Sequence, residues 1–154
     1  MPIRSFRGNI SDYDVNVNGS GIDQISLHTN TGSMGYRIVK FQIMSTEPAS
    51  TSTEQIVKIY KIPQTTVTAD VDFSDNTLLA VGYFENSSGM SGPTASSNII
   101  FDNEVFNQDI FITHIDANGS ASCNYYIELE QVKLALDQNT VATLKDIRNI
   151  EQNG

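Results

Sequence analysis

The chain has 154 residues, with 39 % hydrophobic, 18 % charged and a net charge of −9. That length suits one domain with one core, and an acidic chain is repelled by phosphate backbones and anionic bilayers, which argues against nucleic-acid and membrane partners. The single cysteine, Cys123, excludes an intrachain disulfide and a thiolate zinc cluster.

MPIRSFRGNI holds no apolar run of signal-peptide length. No stretch approaches the roughly 20 apolar residues of a membrane-spanning helix. The expectation is a soluble domain made in a cytosol.

Strand-like runs then follow one another. DYDVNVNG (12–19) alternates and ends in Asn-Gly, and IDQISLHT (22–29) alternates again. GYRIVKFQIM (35–44) puts Arg37, Val39, Phe41 and Ile43 on one face and Tyr36, Ile38, Lys40, Gln42 and Met44 on the other. QIVKIYKI (55–62), ADVDF (69–73), TLLAVGYF (77–84), NIIF (98–101), NQDIFITHI (107–115) and SCNYYIELEQVKL (122–134) complete the series. Val, Ile, Tyr, Phe and Thr dominate these runs, and Asn, Gly, Asp and Ser break them, as in a sandwich or barrel. STEPASTSTE (45–54) and ENSSGMSGPTASSN (85–98) read as loops. Neither is long enough to divide residues 1–154 into two domains.

Asn118-Gly119 is a strong hairpin signal, because a type I′ turn needs positive φ at both central residues. Such a hairpin would pair Ile115 with Ser122, His114 with Cys123, Ile112 with Tyr125 and Ile110 with Ile127 on one apolar face. The other face would pair Phe111 with Tyr126, Thr113 with Asn124 and Asp109 with Glu128.

The chain closes on NTVATLKDIRNIEQNG. Asp137 or Asn139 can cap a helix over 138–151, and Val141, Leu144, Ile147 and Ile150 recur every three residues. They spread over about half the helix circumference. An isolated helix of this length is marginal in water, so that arc needs a cover. The cover is either the chain's own sheets or a neighbouring subunit. Charge adds a second hint. No Lys or Arg stands between Lys61 and Lys133, an interval carrying −10, and the remainder carries +1. This is either chance clustering on a solvated face or a polarised molecule that docks through its termini, with Arg4 and Arg7 beside the helix arc.

Several residues invite chemistry. His114 opposite Cys123 could form a nucleophile and base, but a reactive thiol needs electropositive surroundings, and the segment is acidic. Packing is the alternative. DVDFSDN (70–76) spaces carboxylates as in a calcium loop, yet Asp75 stands where the loop needs glycine and Val81 where it needs glutamate. That leaves a looser cation site or a plain turn. The Asn-Tyr-Tyr of 124–126 could stack on a sugar ring, or Tyr125 and Tyr126 could pack inside a strand. His28 stands alone beside a turn, and no Gly-rich phosphate loop is evident. No catalytic residue, metal ligand or cofactor is expected.

GYRIVKFQIM, NIIFDNEVFNQDIFITHIDA and CNYYIELEQVKLALDQNTVATLKDIRNIEQ together resemble small virion proteins of marine tailed phages, including those of cyanophage type. The resemblance spans most of residues 35–152. It implies a virion structural protein, some of whose like decorate capsids, and it carries over no catalytic residue. The expected fold is mainly β, an antiparallel jelly-roll-like sandwich with one C-terminal helix. The expected work is oligomerising and packing on other virion proteins, such as the major capsid protein. A head–tail connector, a tail component or a carbohydrate-binding module for host recognition are the alternatives.

Overall fold

The computed structural model describes residues 2–27, 33–87, 95–101 and 104–134. Its strands are β1 (Ile3–Ile10), β2 (Ile22–Ile25), β3 (Met34–Ser45), β4 (Ser52–Tyr60), β5 (Leu78–Ser87), β6 (Ala95–Ile100), β7 (Ile110–Asp116) and β8 (Cys123–Lys133). They form two antiparallel sheets, three-stranded β1-β8-β3 and five-stranded β2-β7-β4-β5-β6. Both sheets contribute to one apolar core. Phe6, Phe41 and Ile127 come from the first, and Val57, Ile59, Ile110 and Ile112 from the second.

Alternation in the sequence explains most of these strands, and the exceptions have causes. In β3 the register shifts between Ile38 and Lys40. Tyr36 and Ile38 are buried before this bulge, and Phe41, Ile43 and Ser45 after it. The bulge leaves Val39 38 % exposed and reverses the face, so the single alternation expected across 35–44 does not hold. Residues 12–19 form a loop instead of a strand. Asp14 accepts from the Asn16 amide, and the Ser20 hydroxyl accepts from the Asp14 amide. Gly21 then turns the chain at φ 67°, which favours glycine. Val15 and Val17 alternate but stay exposed. The true first strand is β1, in register with β8 from Ile3↔Glu130 to Ile10↔Cys123.

ADVDF is also loop. Residues 61–77 connect β4 to β5, with Ile62, Val67 and Thr77 buried. The Lys58 ammonium, on the outward side of β4, donates to the Asp70 carbonyl at 2.7 Å. This connection therefore lies over the outward side of β4, where Ile56 and Lys58 are 4 % exposed.

The hairpin around Asn118-Gly119 does not form. β7 pairs with β2 and β4, and β8 pairs with β1 and β3, in different sheets. The inward faces were legible: Ile110, Ile112 and His114, and Cys123, Tyr125 and Ile127, are all buried. They meet across the core instead of along a ladder. The turn chemistry explains why. Among the described residues, positive φ occurs only at Gly19 and Gly21, so no type I′ turn stands at 118–119. Asp116 organises the connection instead. Its Oδ1 accepts from the amides of Glu54, Asn118 and Gly119, and its Oδ2 from Ala121. Gly119 packs against the Ser52 carbonyl with no room for a Cβ. Gln55 adds a second tie, donating Nε2 to the Ser45 hydroxyl and the Ala121 and Ser122 carbonyls at 3.2–3.3 Å. The helix expected over 138–151, with Val141, Leu144, Ile147 and Ile150, lies outside the described residues.

Replacing Asp116 by alanine removes the common acceptor of four amides on exposed or half-buried residues, so it should lower unfolding free energy by about 1–3 kcal/mol. Urea denaturation of Asp116→Ala beside Asp116→Asn tests this, with the Asn variant intermediate. A loss below about 0.5 kcal/mol in both, the size of an ordinary surface change, would contradict the role given to the carboxylate.

Candidate functional site

His114 and Cys123 face the core from opposite sheets, and both are fully buried. The His114 Nδ1 lies 2.9 Å from the Ser11 carbonyl oxygen. A carbonyl only accepts, so Nδ1 carries the proton, and Nε2 is a buried atom without a partner. Burial holds the imidazole below its ordinary value of 6.5, against the opposing pull of the Ser11 carbonyl, Asp12 and Asp116. Burial pushes the Cys123 thiol up to about 12. Its Sγ contacts the Met44 and Asn124 carbonyls, not the histidine. A thiol in this state is a poor nucleophile.

The DVDFSDN carboxylates are engaged in turns. Asp72 accepts from the amide and hydroxyl of Ser74, which lowers its pKa, and Asp75 accepts from those of Thr77. Among the described residues, no group of three or more His, Cys, Asp or Glu is arranged to hold a metal.

Arg4 and Arg7 fall on opposite faces of β1, because strand side chains alternate. Arg4 shares a row with Leu129 and Ile38. Its guanidinium lies over the Phe6 ring at 5.2 Å and donates to the Tyr36 hydroxyl at 3.4 Å. Arg7 shares the outward row with Tyr126 and Gln42. Tyr125 and Tyr126 part in the same way. Tyr125 turns inward at 9 % exposure and donates to Asp23 of β2 at 3.3 Å. Burial is the main reason its hydroxyl is pushed up to about 12. Tyr126 faces outward, donates to Glu128 at 2.7 Å, and has the Lys40 ammonium 5.9 Å from its ring centre.

Arg7 and Tyr126 line a groove of about 670 Å³, within the usual range for small-molecule sites. Two outward rows form its sides: Arg7, Tyr126 and Gln42, and then Asn124 and Met44. Between them runs the row of Gly8, Tyr125 and Ile43, whose tyrosine and isoleucine point into the core. Ser96 and Asn98 of β6 complete the lining. Asn98 is held close by a bare backbone, since a Cβ on Gly82 would stand 3.0 Å from its Oδ1 and 3.1 Å from Ile43. Asn124 is fixed on the other side, where its Oδ1 accepts from Asn9 at 3.0 Å. Among the described residues, Arg7 is the only charged side chain lining this groove.

A second cavity, of about 760 Å³, has the opposite character. Asp12, Asp14 and Glu47 line it with Ser11, Thr46 and Ser122. Burial raises the Asp12 carboxyl, although the Asp116 amide it accepts from works the other way. The sequence pointed to Arg7 and Tyr126 separately. It gave no signal for Gln42 or Asn98, whose meeting with Asn124 depends on strands far apart in the chain.

The chain matches no known family of proteins, and no curated protein is significantly similar to it.

The buried imidazole makes stability depend on pH. With the folded pKa below 6.5, the unfolded chain binds the proton first as pH falls. His114 therefore stabilises the fold above pH 6.5 and loses that contribution as the solution is acidified below it. In His114→Gln, where a neutral amide replaces the ring, the urea midpoint should fall less between neutral and mildly acid pH. Equal slopes in the two proteins would contradict the assignment.

Proposed function

We propose that the chain is a phage virion structural protein, a jelly-roll sandwich that decorates or joins the capsid shell by packing on itself and on other virion proteins. The observation that carries this reading is the nesting of its strands. β1 pairs with β8, β2 with β7 and β4 with β5. β3 lies close to β6 as well as pairing with β8. That concentric order is the arrangement of a hairpin folded over on itself, and eight-stranded jelly rolls recur in viral capsid domains. The warrant is analogy of fold, to which the resemblance of the sequence adds.

The termini support the docking side of this reading. The Gln131 amide donates to the Pro2 carbonyl at 2.9 Å, and the Leu134 amide to Ser33 at 2.9 Å. The start of β1 and the point where β8 gives way to residues 135–154 are thus neighbours. Ile3 is 51 % exposed there, beside the Arg37–Glu130 ion pair at 2.9 Å. Arg4 follows on the same strand, and Val141, Leu144, Ile147 and Ile150 follow in the chain. These residues are proposed to make the contact with a neighbouring subunit.

Quantitative mass spectrometry of purified particles tests the assignment. A shell role predicts this chain at a copy number near that of the major capsid protein. A connector or tail role predicts far fewer copies, and absence from particles overturns the virion reading. Removing residues 139–154 tests the contact. The expected product remains folded by circular dichroism and no longer sediments with the shell. A product that assembles normally overturns the docking role.

A further inference from the structure

We infer that the groove spanning β1, β8, β3 and β6 is a binding site for an acidic oligosaccharide. The inference goes beyond the virion reading and does not depend on it.

Charge is the first argument. On a chain of net charge −9, the described residues lining this groove include no carboxylate and one guanidinium, that of Arg7. No ion pair or hydrogen bond within the described residues engages Arg7. Lys40 beside the Tyr126 ring is balanced by Glu128 at its hydroxyl, so Arg7 carries the net positive charge of the site. The other large cavity presents Asp12, Asp14 and Glu47 and would repel the same ligand. A guanidinium meets a carboxylate or sulfate with two parallel hydrogen bonds, so it suits a uronate, a sialate or a sulfated sugar.

The remaining lining fits the rest of a sugar. Gln42, Asn98 and Asn124 carry amides, which both donate and accept, as adjacent sugar hydroxyls do. The Tyr126 ring and Met44, which is 57 % exposed, offer apolar contact for the C–H face of a pyranose. The Glu128 carboxylate holds the Tyr126 hydroxyl at 2.7 Å and so steadies the ring. Gly82 acts at one remove as a positioning residue, because a Cβ there would crowd Asn98 Oδ1 at 3.0 Å and Ile43 at 3.1 Å and push them aside.

Direction separates a glycan from other anions. Arg7, Tyr126 and Gln42 form a row running across the strands, about 10 Å from β1 to β3. The backbone of β8 beneath it is paired on both sides. A peptide laid across the strands therefore gains no ladder hydrogen bonds there, unlike one added to a sheet edge. A nucleic acid would bring many phosphates to one or two cations on an acidic protein, a poor balance.

The full chain should be screened on a panel of sialylated, uronate and sulfated oligosaccharides beside neutral ones. Affinities are then measured by titration with tetragalacturonate and its methyl ester, and with the best acidic glycan found. The expected result is binding of acidic glycans, with Arg7→Gln weakening it about tenfold or more, as for loss of a charge-assisted pair. Tyr126→Ala should also weaken it, and Gly82→Ala should do so without unfolding the protein. Thermal melts of each variant separate lost binding from lost folding. Equal affinity for neutral glycans, no effect of Arg7→Gln, stronger binding of polyglutamate or RNA, or no acidic glycan bound would each overturn the inference.

Discussion

The buried carboxylate of Asp116 accepts from the backbone amides of Glu54, Asn118, Gly119 and Ala121. The Asp116 amide in turn donates to the Asp12 carboxylate at 2.7 Å. These contacts join the start of β4, the end of β7, the loop before β8 and the loop after β1. A carboxylate buried without donors is costly, so the connection from β7 to β8 is confined to a path on which its amides reach this group. That path carries the chain from one sheet to the other. Gln55 reinforces it by tying β4 to the end of β3 and to the same connection.

Once β8 is delivered to the three-stranded sheet, other features follow. It becomes the central strand of β1-β8-β3, with both edges paired. Its inner row closes the core over Ile112 and Ile59, and its outer row is left facing solvent with Arg7 and Gln42 beside Tyr126. The outward faces of the two sheets then differ. In the five-stranded sheet, residues 61–77 cover Lys58 at the centre, where burial lowers the ammonium pKa. In the three-stranded sheet, the corresponding area is an open groove. One face is thus used for stability, and the groove lies on the other.

Much of this was legible locally. The strands at 35–44, 55–62, 77–84, 107–115 and 122–134 follow from alternation and β-branched content, and so do the inward faces of β7 and β8. The failures share one cause, which is competition from contacts that sequence spacing does not display. Val15 and Val17 alternate, but Asp14, Ser20 and Gly21 hold their segment in turns. β1 was not read as a strand from residues 3–10, although Phe6 and Ile10 supply its inner row. Asn118-Gly119 is a strong local turn signal, and a buried aspartate outweighs it. The groove needed Arg7, Gln42, Asn98 and Tyr126 brought together from four strands, so only one of its parts, Arg7, was singled out for contact and Tyr126 only weighed as a sugar platform.

The placement of β7 and β8 in opposite sheets is the claim on which the rest stands, and backbone nuclear Overhauser effects test it directly. Paired residues in an antiparallel ladder lie about 4.5–5.5 Å apart at Cα, whereas facing sheets lie about 10 Å apart. The account predicts cross-strand backbone contacts joining Ile112 to Ile59, and Ile127 to both Phe6 and Phe41. Cross-strand backbone contacts joining Ile112 to Tyr125 and Ile110 to Ile127 would instead show a hairpin at Asn118-Gly119, and would contradict it.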